Sequence, residues 1–312
     1  MHYFNSSVLM KADLSLPPFY RGKVRDTYDL GNQLLIIATD RISAFDVTLS
    51  SGIPKKGRVL NQLSIFWFRH TTEIVPNHFL EAVDASHCLD SYLPPESSFT
   101  CPAYLTRRSM VVKKVKRIPV ECIVRGYLAG SAWAEYQQNG TISGIRQPRG
   151  LIESQELHEP LFTPTTKADT GHDLPITMDE IKKLVGEKIA EEMEEKSLAI
   201  YQFARNYARN RGIIIADTKF EFGLDEKKLI LIDELLTPDS SRLWDAYQYE
   251  AGHPQPSFDK QPVRDWLVAS GWNKEPPAPD LPPDVITTTT ERYLKGYERI
   301  TGRKLALESL VL

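Results

Sequence analysis

Apolar residues recur along the chain in two rhythms, one of period two and one near 3.6, and each predicts its own kind of element. Tyr20 to Tyr28 and Gln33 to Thr39 are strand-like and joined by a turn at Gly31-Asn32. Leu60 to Thr71 carries apolar residues at helical spacing and predicts a short helix. Met110 to Val115 and Val120 to Val124 predict strands separated by Ile118-Pro119. The strongest helix signal is central: Thr177 and Glu180 make a capping box, and apolar residues recur from Ile181 to Tyr207. Gly212 supplies the stop, and Gly186 is placed to divide the run into two helices. Beyond it, Ile213-Ile214-Ile215 leads a strand that Gly223 breaks, a polar turn spans Asp225 to Lys228, and Leu229 to Ile232 forms the return strand of a hairpin. A short helix with Pro262 in its first turn runs to about Ser270. Asn273 to Pro283 is proline-rich without periodicity and predicts an extended surface connection. Thr288-Thr-Thr-Glu291 predicts the cap of a last helix through about Thr301. No internal repeat is visible, and the order of elements favours α+β over alternating βαβ units.

Composition narrows the class. The 312 residues are 41% hydrophobic and 25% charged, enough for one large or two modest domains. With 38 basic and 41 acidic residues the net charge is -3, which gives no bulk electrostatic case for nucleic acid or an anionic membrane. Cys88, Cys101 and Cys122 are odd in number and lack C-x-x-C spacing, which predicts a reduced, cytoplasmic setting. No stretch is apolar enough for a signal peptide or a membrane span. The seven histidines form no H-x-H or H-E-x-x-H pattern, so a zinc site is not expected.

The chemistry concentrates on the hairpin. On a strand, Asp217, Lys219 and Glu221 share one face while Phe220 and Phe222 point the other way, into a core. Carboxylates beside a buried strand are costly without a cation between them, which Lys219 supplies in part and a divalent metal would supply further. A solvated face with a Lys-Glu ion pair is the plain alternative. The hairpin ends in Asp233-Glu234, and Thr237-Pro-Asp-Ser-Ser-Arg242-Leu-Trp-Asp245 follows with hydroxyls, an arginine and carboxylates.

Five other segments carry similar chemistry. Tyr20-Arg21-Gly22-Lys23-Val24-Arg25-Asp26 sets a glycine among basic residues, where a backbone can approach a phosphate, though an ordinary charged turn fits too. Val111-Val112-Lys113-Lys114-Val115-Lys116-Arg117 spreads its lysines over both faces of a strand and is too short for a nucleic-acid surface. Arg125-Gly126-Tyr-Leu-Ala-Gly130-Ser131 ends a strand and opens a helix, an arrangement suited to an anion, with a structural arginine beside a capped helix as the alternative. Thr39-Asp40-Arg41-Ile-Ser43-Ala-Phe-Asp46 and Glu159 to Asp169 are dense polar clusters that turn chemistry alone could also explain.

Together these segments resemble the SAICAR synthetase (phosphoribosylaminoimidazole-succinocarboxamide synthase) family, in the family's order and over most of the chain. The matching pieces are Arg21 to Asp26, Ala38 to Asp46, Pro119 to Ser131, Leu161 to Ala168, the D-x-K-x-E-F-G strand and Asp233 to Asp245. The resemblance implies a two-lobed α+β fold of the ATP-grasp or kinase-like kind, with antiparallel sheets and an ATP cleft between lobes. It places an N-terminal β-rich lobe at 1–117 and a C-terminal lobe with the metal and substrate sites at 118–312. It implies ligation of L-aspartate to 5-amino-1-(5-phosphoribosyl)imidazole-4-carboxylate through an acyl phosphate, with ATP and Mg²⁺. A small-molecule kinase, another carboxylate–amine ligase and a nucleotide-sensing module are the alternatives.

The residue roles come from the same resemblance. Gly22, Lys23 and Arg25 would meet ATP phosphates, with Lys113 weaker, and Arg117, Ile118 and Glu121 would lie near the nucleotide. Glu221 and Asp233 would hold Mg²⁺, and Lys219 and Asp217 would be catalytic. Arg125, Gly130, Ser131 and Arg242 would bind the ribose 5-phosphate. Asp40, Arg41, Ser43, Lys260 and Arg264 would line the imidazole or aspartate pocket. The family's His-Asp-Glu-Asn is His172-Asp173-Leu174-Pro175 here, which removes support for acidic side chains in that loop. An insert around Gly52 to Arg58 and the proline-rich C-terminal extension look like the longer, fungal-type members. A fused carboxylase is not expected, and a cytoplasmic monomer acting on small molecules is.

Overall fold

The computed structural model describes residues 8–167 and 173–306, and its chain contacts divide into two units. The first unit comprises Met1–Phe66, His78–Lys114 and Asp259–Leu312. Its strands are β1 (Pro18–Arg21), β2 (Arg25–Asp29), β3 (Gln33–Ala38), β4 (Arg41–Ala44) and β5 (Val47–Gly52), followed by helix α1 (Lys56–Thr71), β6 (Phe79–Ala82) and β7 (Ser109–Lys113). The five-stranded antiparallel sheet runs β1-β2-β3-β7-β6, and β4-β5 is a separate hairpin. The strand expected at Tyr20 to Tyr28 is therefore two strands. Gly22, whose amide donates to the Arg25 carbonyl at 2.8 Å, closes a loop between them.

The second unit comprises Trp67–Asn77 and Val115–Phe258. It contains β8 (Lys116–Tyr127), α2 (Ser131–Asn139), β9 (Thr141–Ile142), β10 (Ile145–Arg146), β11 (Glu156–Phe162), β12 (Thr165–Thr166), α3 (Met178–Val185), α4 (Glu187–Arg209), β13 (Ile213–Asp225), β14 (Lys228–Ile232) and β15 (Ser241–Asp245). Its main sheet runs β11-β8-β13-β14, with β12 added to β8 and β15 to β13, all antiparallel. Helices α5 (Gln261–Ala269) and α6 (Pro283–Thr301) belong to the first unit.

That membership differs from the single lobe boundary expected at residue 117. Val263 and Leu267 of α5, with Leu281 and Val285, share a buried cluster with Ile42, Leu49 and Ile53. Each such side chain contributes about 1.5–3 kcal/mol on burial, so apolar contact rather than chain order assigns the C-terminal segment. The same cluster shows that Asn273 to Pro283 is not only a surface connection, since Leu281 is buried and Ala278 packs against the core. Helix α6 also begins earlier than expected. Thr289 and Thr290 are buried inside it, with hydroxyls bonded to Val285 and Ile286 carbonyls one turn back, so they do not cap it.

In the second unit the expected break at Pro119 is absent, and β8 continues through it. Opposite Pro119 the register with β13 shifts between Glu221 and Gly223. Such an irregularity is where a strand tolerates a residue without an N–H. The expected break at Gly223 is likewise absent: a Cβ there would press on Val115 and the Lys116 carbonyl, so the glycine lets β8 pass close. The Thr177–Glu180 capping box and the division at Gly186 are as the pattern predicts. Phe220 and Phe222 are fully buried, on the β13 face where Thr218 and Cys122 also lie. Ala190, Met193, Ile200, Tyr201 and Ala204 are among the buried residues of α4, and the Tyr201 hydroxyl donates to the Ile215 carbonyl at 2.7 Å. The opposite face of β13 is left for polar chemistry.

Candidate active site

Register builds the charged face of the second unit. Asp217 on β13 stands opposite Arg125 on β8 and Arg242 on β15, and Glu221 stands opposite Glu121 on β8 and Ile232 on β14. Alternation then puts Asp217, Lys219 and Glu221 on one face with Glu121 and Arg125. Asp233 follows β14 directly, in a left-handed conformation (φ 71°) that aspartate tolerates better than most residues.

At one end of this face lies an arginine pair. Arg125 approaches the Asp217 carboxylate at 3.4 Å, Arg242 donates to the same oxygen, and Arg125 also bonds Thr163 Oγ1 at 3.0 Å and Ser131 Oγ at 3.3 Å. Burial lowers the pKa of Arg125, and Asp217 opposes that effect. Ser131 opens α2 behind Gly130, whose φ of 58° and ψ of -129° suit glycine alone. A Cβ at Gly130 would overlap the Arg242 guanidinium. Two guanidinium groups facing an exposed helix-opening Gly-Ser form a site for a dianion.

At the other end the carboxylates meet lysines. Lys167 bridges Glu121 and Glu221 at 2.6 Å each, and Lys219 donates to Glu121 at 3.1 Å. Burial would raise the Glu121 carboxyl, but the Lys219 and Lys167 ammonium groups outweigh it and hold it below its ordinary value. Glu221 moves the other way: burial raises it first and the neighbouring Asp233 adds to that, more than Lys167 offsets. Burial disfavours charge on Lys219 and Lys167, yet the surrounding carboxylates keep both raised, so both remain ammonium groups at neutral pH. Glu234, buried and accepting from the Thr237 hydroxyl at 2.6 Å, adds further negative charge near Lys219.

Lys167 and Glu234 were not among the sequence candidates. Lys167 lies in the quoted Leu161 to Ala168 segment, but its partners are 46 and 54 positions away, a separation no local pattern conveys. Ala168, Asp169 and His172, singled out in the sequence, lie outside the described residues.

In the first unit, Gly22 and Lys23 lie in the β1–β2 loop and Arg25 opens β2, and the exposed Lys23 ammonium pairs with Asp46 at 2.6 Å. Lys113 is exposed at the end of β7. Ser43, on β4, and Lys260 and Arg264, at and within the start of α5, are partly buried in this same unit. Two candidates in this unit are buried. Asp40 is fully buried and accepts from the Leu9 amide at 2.8 Å, the Gly57 amide at 2.9 Å and Arg108 at 3.0 Å. Arg41 is also buried and spends its donors on the Lys23, Met10 and Gly22 carbonyls and on Asp26. Both spend these groups on the backbone and side chains of their own unit. Arg117 is exposed on β8, Ile118 is a core residue, and Glu121 belongs with the lysine cluster just described.

A family model described as SAICAR synthetase matches residues 18–279. The chain belongs to the SAICAR synthetase family. A phosphoribosylaminoimidazole-succinocarboxamide synthase of Thermodesulfovibrio yellowstonii is 53% identical over 285 residues, covering 90% of this chain and 94% of that protein. One of Geobacter metallireducens is 48% identical, covering 96% and 99%. Among solved structures, SAICAR synthase from Saccharomyces cerevisiae complexed with SAICAR superposes with a TM-score of 0.86 at 45% identity, over 96% of this chain and 100% of that one. A SAICAR synthetase in complex with ADP gives 0.66 at 26%, over 92% and 99%. The bacterial relatives, at 53% and 48% identity, are as similar to this chain as the yeast enzyme at 45%. Members of the SAICAR synthetase family are ATP-dependent ligases of purine biosynthesis, and the kinase alternative is not favoured. Among the described residues, no helix is long and apolar enough to cross a membrane.

Proposed function

We propose that the charged face of β13 binds 5-amino-1-(5-phosphoribosyl)imidazole-4-carboxylate lengthwise and joins it to L-aspartate. The observation that carries this reading is the order of charges along one strand. The arginine pair sits at Asp217, Lys219 comes next, and Glu121, Lys167 and Glu221 follow with Asp233 beside them. At about 3.3 Å per residue, Asp217 and Glu221 lie roughly 13 Å apart, a span suited to a ribotide with its phosphate at one end and its carboxylate near Lys219.

Arg125, Arg242, Ser131 and the Gly130–Ser131 backbone bind the 5-phosphate. Asp217 acts as a positioning residue that fixes both guanidinium groups. Lys219 touches the reacting carboxylate and stabilises charge as it develops there. The carboxylate oxygen attacks the γ-phosphorus of ATP, the bond from that phosphorus to the bridging oxygen breaks, and ADP departs, leaving an acyl phosphate. The aspartate amine then attacks the carbonyl carbon, the C–N bond forms, the C–O bond to phosphate breaks, and the amine loses its proton. Glu221 and Asp233 fit Mg²⁺, which takes one or two protein carboxylates and completes its shell with water and phosphate oxygens. Bound there, the ion would neutralise phosphate charge. The Gly22–Arg25 loop, with Lys23 extended from it, meets the nucleotide phosphates, and Lys113 and Arg117 are weaker candidates for the same ligand. Ser43, Lys260 and Arg264 are the candidates for aspartate. The reading includes a cytoplasmic monomer acting on small molecules.

The test is ADP release with Mg-ATP while the ribotide and L-aspartate are omitted in turn. ADP and the succinocarboxamide appearing only with both substrates is the expected result. ADP release with the ribotide alone would refute coupled ligation.

A further inference from the structure

We infer that Arg41, which touches no substrate in the reading above, is the positioning residue that turns the Gly22–Arg25 loop into a polyphosphate site. The inference rests on the proposal that this loop meets the nucleotide.

A loop that receives an anion must direct N–H groups outward and carbonyl oxygens away, since carbonyl dipoles repel phosphate. Here each carbonyl from 22 to 25 is captured within the unit. Gly22 O accepts from Arg41 Nη2 at 2.9 Å and Lys23 O from Arg41 Nε at 3.0 Å. Val24 O accepts from the Thr39 amide at 3.0 Å and its hydroxyl at 2.7 Å, and Arg25 O from the Gly22 amide at 2.8 Å.

A trans peptide holds C=O and N–H on opposite sides. The two peptides bound by Arg41 therefore aim the Lys23 and Val24 amides away from the guanidinium. Among the described residues neither amide has a hydrogen-bond acceptor. The Lys23 side chain is 55% exposed. The Lys23 ammonium pairs with Asp46 Oδ1 at 2.6 Å, a contact between two exposed side chains that an incoming phosphate would replace. Two amides and, after that exchange, an ammonium group are thereby offered to one ligand.

Arg41 is itself fixed. Nη2 meets Asp26 Oδ1 at 2.8 Å, Nη1 meets Oδ2 at 3.4 Å, and Nη1 also donates to Met10 O at 2.7 Å. Asp26 is buried and further held by the Ala12 amide at 2.8 Å and Arg21 at 3.2 Å. The planar five-donor fork is what this needs, because lysine cannot bond two successive carbonyls and a carboxylate in one plane. The chemistry recognised is the polyphosphate of a nucleoside triphosphate, and the base plays no part in it.

The experiment compares Arg41→Lys with Lys23→Ala, measuring KM for ATP, KM for the ribotide and kcat. Arg41→Lys is expected to raise the KM for ATP about tenfold or more, with the ribotide KM within about twofold of the parent and kcat largely kept. An unchanged ATP KM would overturn the inference, and so would equal losses for both substrates, which mark general damage. If Lys23→Ala leaves the ATP KM unchanged, the nucleotide reading of the loop is what fails. Should Arg41→Lys not fold, amide exchange on the parent protein decides. The Lys23 and Val24 amides are expected to exchange freely without ligand and to slow with a non-hydrolysable ATP analogue. Protection before the analogue is added, or no slowing at saturation, would refute the positioning role.

Discussion

Replacing Gly130 with alanine tests the phosphate end of the site most directly. The residue sits at φ 58° and ψ -129°, and strain of this kind costs a side-chain-bearing residue on the order of 1–3 kcal/mol. The added Cβ would also overlap the Arg242 guanidinium, which must then leave the Asp217 carboxylate or swing from the phosphate position. Losing one charge-assisted hydrogen bond is worth about 1.5–3 kcal/mol. Since 1.4 kcal/mol is tenfold, the KM for the ribotide should rise about tenfold to a hundredfold. The KM for ATP should stay within about twofold, because the Gly22 loop is held by bonds within its own unit. Steady-state kinetics with each substrate varied in turn, beside a thermal melt, separates the two effects. The melt should shift downward by several degrees through backbone strain alone. A variant that melts lower but keeps the parent ribotide KM would refute the assignment of Arg242 to the phosphate.

The other expectations concern the carboxylate end. Asp233→Asn should abolish turnover while leaving the urea midpoint close to the parent, and normal activity would remove Asp233 from the metal pair. Glu221 is raised from 4.5 to about 7 by burial and Asp233, so its protonated form is favoured by folding. That contribution to stability is full below about pH 4.5 and is lost as the pH rises through 7. Mg²⁺ should therefore raise Tm more at pH 8 than at pH 6, and equal increments at the two values would contradict the site. Lys167→Met leaves Glu121 and Glu221 facing each other without their bridge. Breaking a buried pair costs about 3–5 kcal/mol, and the 25% exposure of Lys167 puts the expected loss at or below the lower end. Urea unfolding reads it directly, and an unchanged midpoint would mean the bridge carries no net energy.

Particular residues show where local pattern sufficed and where it did not. The Thr177–Glu180 cap, the Gly186 division and the buried Phe220 and Phe222 were legible because each depends on neighbours within a few positions. Pro119 misled because its tolerance depends on a register shift in β13, about a hundred residues later in the chain. Thr289 and Thr290 misled because hydroxyls that read as a cap can instead bond back one turn inside a helix. For Asp40 and Arg41 the resemblance implied a pocket, and the local sequence could not show their burial, because a dense polar cluster looks the same whether it faces a ligand or its own backbone.

The sequence by itself determined the charge types and their strand order. Alternation guarantees that Asp217, Lys219 and Glu221 share a face, whatever packs beside them. Tertiary structure decided what each charge does. Cross-strand pairing set Arg125 and Arg242 on either side of Asp217, and Lys167 between two glutamates remote in sequence. Burial then split two nearby glutamates, lysines holding Glu121 low while burial and Asp233 raise Glu221. Desolvation and Coulomb interactions depend on distance in space, and sequence order does not contain that distance.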